Sequence, residues 1–187
     1  MQETFRSASP GWRLYGGPGA IERHLPEAVD RAGAKRAFVV CSPSILARTE
    51  IVSRIEAALG ERYAGVFDGI ENDSTFASVQ AARAEAEAAH ADLLIAVGGG
   101  SVIVAVRAVA IFMGETGNPF ELMTQYPEGG RPFSPRLNAP KPPIVNLPTT
   151  PTSAMNRAGT GLKNPDLDHR MEYFDPKTRP VAVVLDD

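Results

Sequence analysis

Residues 92–101 constrain this chain more than any other stretch. Leu93, Leu94, Ile95, Ala96 and Val97 run into Gly98, Gly99, Gly100 and Ser101, and an apolar segment follows over residues 102–113. The pattern predicts a short buried strand, a sharp turn and a helix. Three successive glycines remove every Cβ where the backbone must turn, so a ligand can approach the main chain closely. The first N–H groups of a helix lack intrahelical partners, and the dipole makes that end partly positive. A strand–glycine–helix junction is therefore a natural seat for a phosphate or pyrophosphate. Glycine runs also make ordinary tight turns. This one is neither G-x-G-x-x-G nor a P-loop with its Lys and Ser/Thr. On these residues alone both readings stand.

The rest of the chain alternates in the same way. Residues 12–15 read as a strand ended by Gly16, Gly17, Pro18 and Gly19. A helix follows over 20–32, with Ile21, Leu25, Ala28 and Val29 at helical spacing and Gly33 as its stop. Residues 37–41 form a continuous apolar strand, Ser42-Pro43-Ser44 opens a helical region, and residues 51–59 form a helix closed by Gly60. A third strand spans 64–67. Ser74 or Thr75 caps an Ala-rich helix that runs to about His90. Residues 114–143 are rich in Gly, Pro and polar residues and read as a long excursion with one helical turn. Residues 144–147 return to strand before Pro148, Thr149 and Thr150. Residues 157–162 and 171–174 are predicted to pair as a hairpin, and 181–185 form a last apolar strand. The expected fold is α/β, a mostly parallel Rossmann-like sheet with helices on both faces and a hairpin near the C-terminus. In such sheets ligands lie beyond the carboxyl ends of the strands.

Composition sets the remaining bounds. At 187 residues the chain can bury a sizeable core. A formal net charge of −3 gives no electrostatic case for nucleic acid or an anionic membrane. Cys41 is the only cysteine, which excludes an intrachain disulfide and a cysteine-based metal site. Residues 1–5 carry no signal-peptide apolar region, and the run 102–113 is interrupted by Arg107 and too short to span a bilayer. A cytoplasmic protein is expected.

Several motifs occur in order: residues 92–101, then Leu147-Pro148-Thr149-Thr150, then Tyr173-Phe174-Asp175-Pro176, and Pro180 with Val183, Val184, Leu185 and Asp186. Together they resemble the iron-containing alcohol dehydrogenase family, including its maleylacetate reductase-like branch. Phe67-Asp68-Gly69-Ile70 sits at the family spacing upstream of the glycines, and the resemblance covers nearly the whole chain. It implies that residues 1–187 are a dinucleotide-binding domain. An all-helical domain supplying a divalent metal, iron or zinc, would follow after Asp186. His24, His90 and His169 are isolated rather than paired as His-x-x-x-His. They read as solvated or locally bonded residues, and no metal ligand or catalytic residue is assigned in this chain.

The cofactor implied by the resemblance is NAD or NADP, and the substrate a small alcohol, aldehyde or ketone, handled by a homo-oligomer such as a dimer. Gly98, Gly99, Gly100 and Ser101 would hold the pyrophosphate, Thr149 and Thr150 would line the cleft, and Asp73 joins this cofactor-binding set. Ser42 stands where the family often ends a strand with Asp. A serine there removes repulsion of a 2′-phosphate, and Arg36 and Arg48 are close in sequence. Ser42 is also placed to cap the next helix. The chain departs from the family pattern at Val104 and Arg107, where an acidic residue and a Lys are usual. It departs again over residues 151–156, where Ala-Gly-Thr-Gly-Ser-Glu often follows the Thr pair. These departures alter the nicotinamide side of the site. Two other readings are a nucleotide-binding module without catalysis and a piece of a dehydroquinate synthase-like enzyme.

Overall fold

The computed structural model describes residues 11–186. Residues 1–5, considered above for a signal peptide, lie outside the described residues. Six parallel strands form one sheet: β1 (Arg13–Gly16), β2 (Ala37–Cys41), β3 (Tyr63–Phe67), β4 (Leu93–Gly98), β5 (Ile144–Pro148) and β8 (Ala182–Leu185). Their order is β1-β8-β5-β4-β2-β3. The helices are α1 (Ala20–Arg31), α2 (Pro43–Arg48), α3 (Ile51–Leu59), α4 (Phe76–Ala88), α5 (Gly100–Gly114) and the single turn α6 (Pro119–Leu122). A separate antiparallel hairpin joins β6 (Thr160–Leu162) to β7 (Met171–Tyr173). No helix among the described residues is long and apolar enough to cross a membrane.

Successive residues of a strand face opposite sides of its sheet, and here both sides are covered. Ala37, Val39, Cys41, Leu93, Ile95 and Val97 pack with α1 and α3. Phe38, Val40, Leu94 and Ala96 pack with α4, α5 and the hairpin. Burial on both faces is why β2 and β4 read as unbroken apolar runs and not as alternating patterns. Helix α5 is buried from Val102 through Phe112 at all but one position, so it carries no polar stripe. The chain leaves β3 at one edge and returns to β4 on the far side of β2. This crossing opens a crevice at the carboxyl ends of β2 and β4. Ser42 and the glycine run stand there.

Differences from the expected boundaries are small and have local causes. Thr75, rather than Ser74, caps α4 by accepting from the Ser78 N–H, because Ser74 is turned into a left-handed conformation (φ 54°) and buried. The hairpin begins at Thr160, since Arg107 takes the Ala154 and Gly159 carbonyls and Asn146 takes that of Met155.

The excursion over residues 115–143 is held by a polar knot. The buried Lys141 ammonium lies 2.7 Å from Glu115 Oε1, 2.7 Å from the Ala139 carbonyl and 3.3 Å from Asp175 Oδ2. Lys177 reaches the same Asp175 oxygen at 3.1 Å and donates to the Leu137 carbonyl. Glu115, just beyond α5, also accepts from the Ala139 N–H, and its pairing with Lys141 and that N–H holds its carboxyl low against the opposing effect of burial. Removing one partner from a buried ion network leaves uncompensated charge. Lys141→Met is expected to destabilise the fold by about 3 kcal/mol. Urea unfolding checks this: a lower midpoint with unchanged slope is expected, and an unchanged midpoint contradicts the assignment.

Candidate functional site

Steric reasons require Gly98 and favour Gly99, whereas Gly100 stands at ordinary contact distance from its neighbour. Gly98 ends β4 at φ +152°, and a Cβ there would sit 2.8 Å from Val102 Cγ2. A Cβ on Gly99 would lie 3.2 Å from the Thr150 hydroxyl, and one on Gly100 3.4 Å from the Thr152 hydroxyl. The turn is thus a backbone wall packed against the segment after β5. The Thr149 N–H donates to the Gly98 carbonyl at 3.1 Å and ties the two strand ends together. Gly99 is the N-cap of α5, and no side chain caps that end. The first amides of a fifteen-residue helix therefore lack a side-chain partner at a place where no Cβ obstructs approach.

Asp73 is brought to this turn through Ser101. The Asp73 N–H donates to the Ser101 hydroxyl at 3.3 Å, and the Ser74 hydroxyl donates to the Ser101 carbonyl at 2.6 Å. Asp73 and Ser74 both hold left-handed conformations, at φ 65° and 54°. Such residues cost about 1–3 kcal/mol each and persist where their surroundings dictate them. Arg170 supplies part of that restraint, donating to the Asp73 carbonyl (3.2 Å) and its carboxylate (3.3 Å). The Ser101 hydroxyl, accepting from Asp73, keeps its own proton to donate.

Beside the turn, a cavity of about 670 Å³ opens at the ends of β5 and β8, lined by Thr149, Thr150, Thr152, Ser153, Leu185 and Asp186. Asp186 is not free. Its carboxylate accepts from the Ile21 N–H at 2.8 Å and from Arg54 at 2.9 and 3.0 Å. It thereby caps α1, whose own N-cap is Gly19. Arg54 also grips Glu22 at 2.6 and 2.8 Å and holds that carboxyl down to about 2. This cluster locks α1 and α3 to the end of β8.

Ser42 follows β2 and is the N-cap of α2, but its hydroxyl meets Ser44 Oγ at 3.1 Å and makes no capping bond. It lines a cavity of about 600 Å³ with Arg48, Glu71 and Asn72. The residues lining this cavity are distinct from those lining the Thr149 cavity, although Cys41 and Val97 are register partners on adjacent strands. Arg48 reaches Ser42's cavity. Arg36 does not: it precedes β2 and donates to the Ala89 carbonyl at 2.8 Å. Burial, with a smaller contribution from Asp68, pushes the Cys41 thiol up to about 12. That makes it a poor nucleophile.

Arg107, the one charge in the apolar helix, is buried (2% exposed). It donates to the Gly159 carbonyl at 3.0 Å and to the Ala154 carbonyl, pinning the loop after β5. Burial first, and Arg157 second, pull the guanidinium down to about 10. Among the described residues no cluster of three or more His, Cys, Asp or Glu side chains is placed to hold a metal ion. His24 stacks on Tyr15 and His169 lies against Tyr126.

The structure therefore gathers Gly98, Gly99, Gly100, Ser101, Asp73, Thr149 and Thr150 around one turn, with Ser42 one strand away. Sequence reasoning passed over Thr152, which faces Gly100, and Arg170, which clamps Asp73. A hydroxyl two residues beyond the Thr pair was a signal for the first. Nothing local pointed to the second.

The chain matches the family described as iron-containing alcohol dehydrogenase over residues 12–187. It is 41% identical over 102 residues to maleylacetate reductase 2 of Cupriavidus pinatubonensis, covering 54% of this chain and 27% of that protein. It is 33% identical over 128 residues to 4-hydroxybutyrate dehydrogenase of Cupriavidus necator, covering 67% of this chain and 31% of that protein. The solved maleylacetate reductase of Agrobacterium tumefaciens shares its fold, with a TM-score of 0.73 at 21% identity, covering all of this chain and 43% of that one. The chain thus spans less than half the length of these proteins. With the ordered motifs and the parallel sheet that carries them, the match over residues 12–187 places this chain in the iron-containing alcohol dehydrogenase family.

Proposed function

We propose that this chain is the dinucleotide-binding part of an NAD(P)-linked oxidoreductase acting on a small alcohol or its carbonyl partner. The observation that carries the reading is the wall without side chains at residues 98–100, set at the uncapped start of α5 and packed against Thr150 and Thr152. That geometry supports a dinucleotide as the ligand. Backbone N–H groups of the first turn of α5, with the Ser101 hydroxyl, bind pyrophosphate oxygens. Thr149, Thr150 and Thr152 line the cavity into which the rest of the cofactor extends. Asp73 holds Ser101 in position and leaves the phosphate contact to backbone and hydroxyl. When bound, the nicotinamide supplies the hydride chemistry, and the protein supplies binding and orientation.

The described residues do not assemble a metal site. The family relationship, and relatives of which the match covers less than a third, support a metal-bearing part outside these residues. The name of one relative, 4-hydroxybutyrate dehydrogenase, supports an alcohol–carbonyl interconversion.

Ser42 and Arg48 in one cavity support tolerance of NADP(H) beside NAD(H): a hydroxyl in place of a carboxylate, with a guanidinium near, accommodates a 2′-phosphate.

Gly99→Val is expected to weaken NADH binding at least about tenfold, because the side chain meets Thr150 and blocks phosphate approach. Fluorescence titration, with circular dichroism to confirm folding, reads this; undiminished affinity in the folded variant contradicts the site. Ser42→Asp is expected to shift the NADPH-to-NADH affinity ratio toward NADH by about tenfold. Calorimetric titration of both cofactors checks it, and an unchanged ratio overturns the role of Ser42.

A further inference from the structure

A second recess lies between the middle of α5, the loop after β5 and strand β7, with a volume of about 500 Å³. Arg107 lines it from the helix and Arg157 from the loop. Among the described residues neither guanidinium makes an ion pair. Arg107 is buried, with two of its nitrogens on backbone carbonyls and its Nε without a partner. The exposed Arg157 side chain is close enough to disfavour the charge on Arg107.

The other polar groups of the recess offset this charge only in part. The Thr160 hydroxyl donates to the Val104 carbonyl at 2.7 Å, and Ser134 pairs with Thr124 at 2.9 Å. Glu172 is the one carboxylate in the lining, and it accepts from the Tyr126 hydroxyl at 2.5 Å. Burying a guanidinium on neutral carbonyls, with a second cation nearby, is costly unless an anion joins them. An arginine with its fork open matches a planar carboxylate or a phosphate in two parallel hydrogen bonds.

We propose that this recess is an oxyanion site, separate from the start of α5, in which Arg157 grips a carboxylate or phosphate group within the field of the buried Arg107. Ser153 lines both this recess and the cavity at β5 and β8. An acidic substrate seated in that cavity beside the cofactor thus reaches the recess with its anionic end. This last link rests on the cofactor reading above, whereas the oxyanion site itself does not.

The test titrates malonate and inorganic phosphate into the 187-residue chain at constant ionic strength, by calorimetry. Saturable binding is expected for the unaltered protein. It should fall at least about tenfold in Arg157→Gln, recover in part in Arg157→Lys, and tighten in Glu172→Gln. Malonate should bind equally well with NADH present at saturation, and Arg157→Gln should bind NADH normally. Equal malonate and phosphate affinity in the unaltered protein and Arg157→Gln, or no binding by either, overturns the site. Displacement of malonate by NADH overturns its separateness from the cofactor's phosphate seat. Failure of the unaltered chain to bind NADH counts against the cofactor reading alone, because the malonate comparison is made without it.

Discussion

The close approach of two backbones at the carboxyl ends of β4 and β5 is the constraint on which the site depends. The Gly98 carbonyl accepts from the Thr149 N–H, and a Cβ on Gly99 would press on the Thr150 hydroxyl. Side chains at Gly99 and Gly100 would fill the space over the first amides of α5. The same glycines that let the strand turn into the helix also leave those amides open. Steric necessity and ligand access are met by one set of residues, and the sheet's crossing between β2 and β4 sets where that opening faces.

Around this opening, charged groups fix the pieces that move least easily by hydrophobic packing alone. Asp186 caps α1 through Ile21 and is braced by Arg54, so the last described residue of the sheet layer is tied to the other face of the molecule. Lys141 gathers Glu115 and Asp175 under the long excursion. Arg107 differs from both: it is buried on carbonyls, with no carboxylate. A cation so placed pins the loop after β5 without a paired carboxylate, which is why the recess it lines reads as a place for an anion.

Much of this architecture is legible from residues adjacent in the chain. The apolar runs of β2 and β4, the glycine turn and α5 are local patterns, and their periodicity leaves little freedom. The hairpin, too, is found near its predicted place. The site was legible to the extent that it is backbone: glycines and the Thr pair announce themselves. What escaped depends on distant partners. Arg170 reaches Asp73 across 97 residues, and Arg54 reaches Asp186 across 132. No local spacing encodes such pairs, and a lone Arg in a polar loop looks like a solvated charge. Arg107 was visible as an oddity in an apolar helix, but its partners are carbonyls of the loop after β5, which carry no side-chain signature. Arg36 and Arg48, equivalent in sequence distance to Ser42, are separated only by topology: one precedes β2 and the other follows it.

Backbone amide resonances of Gly99, Gly100, Ser101 and Val102 test the central claim most directly, followed as NADH is titrated into the isotope-labelled chain. The account predicts that these amides show the largest saturable shifts, with Thr149, Thr150 and Thr152 next and the far ends of the strands unmoved. Saturable NADH binding that leaves the amides of residues 99–102 unshifted would contradict it.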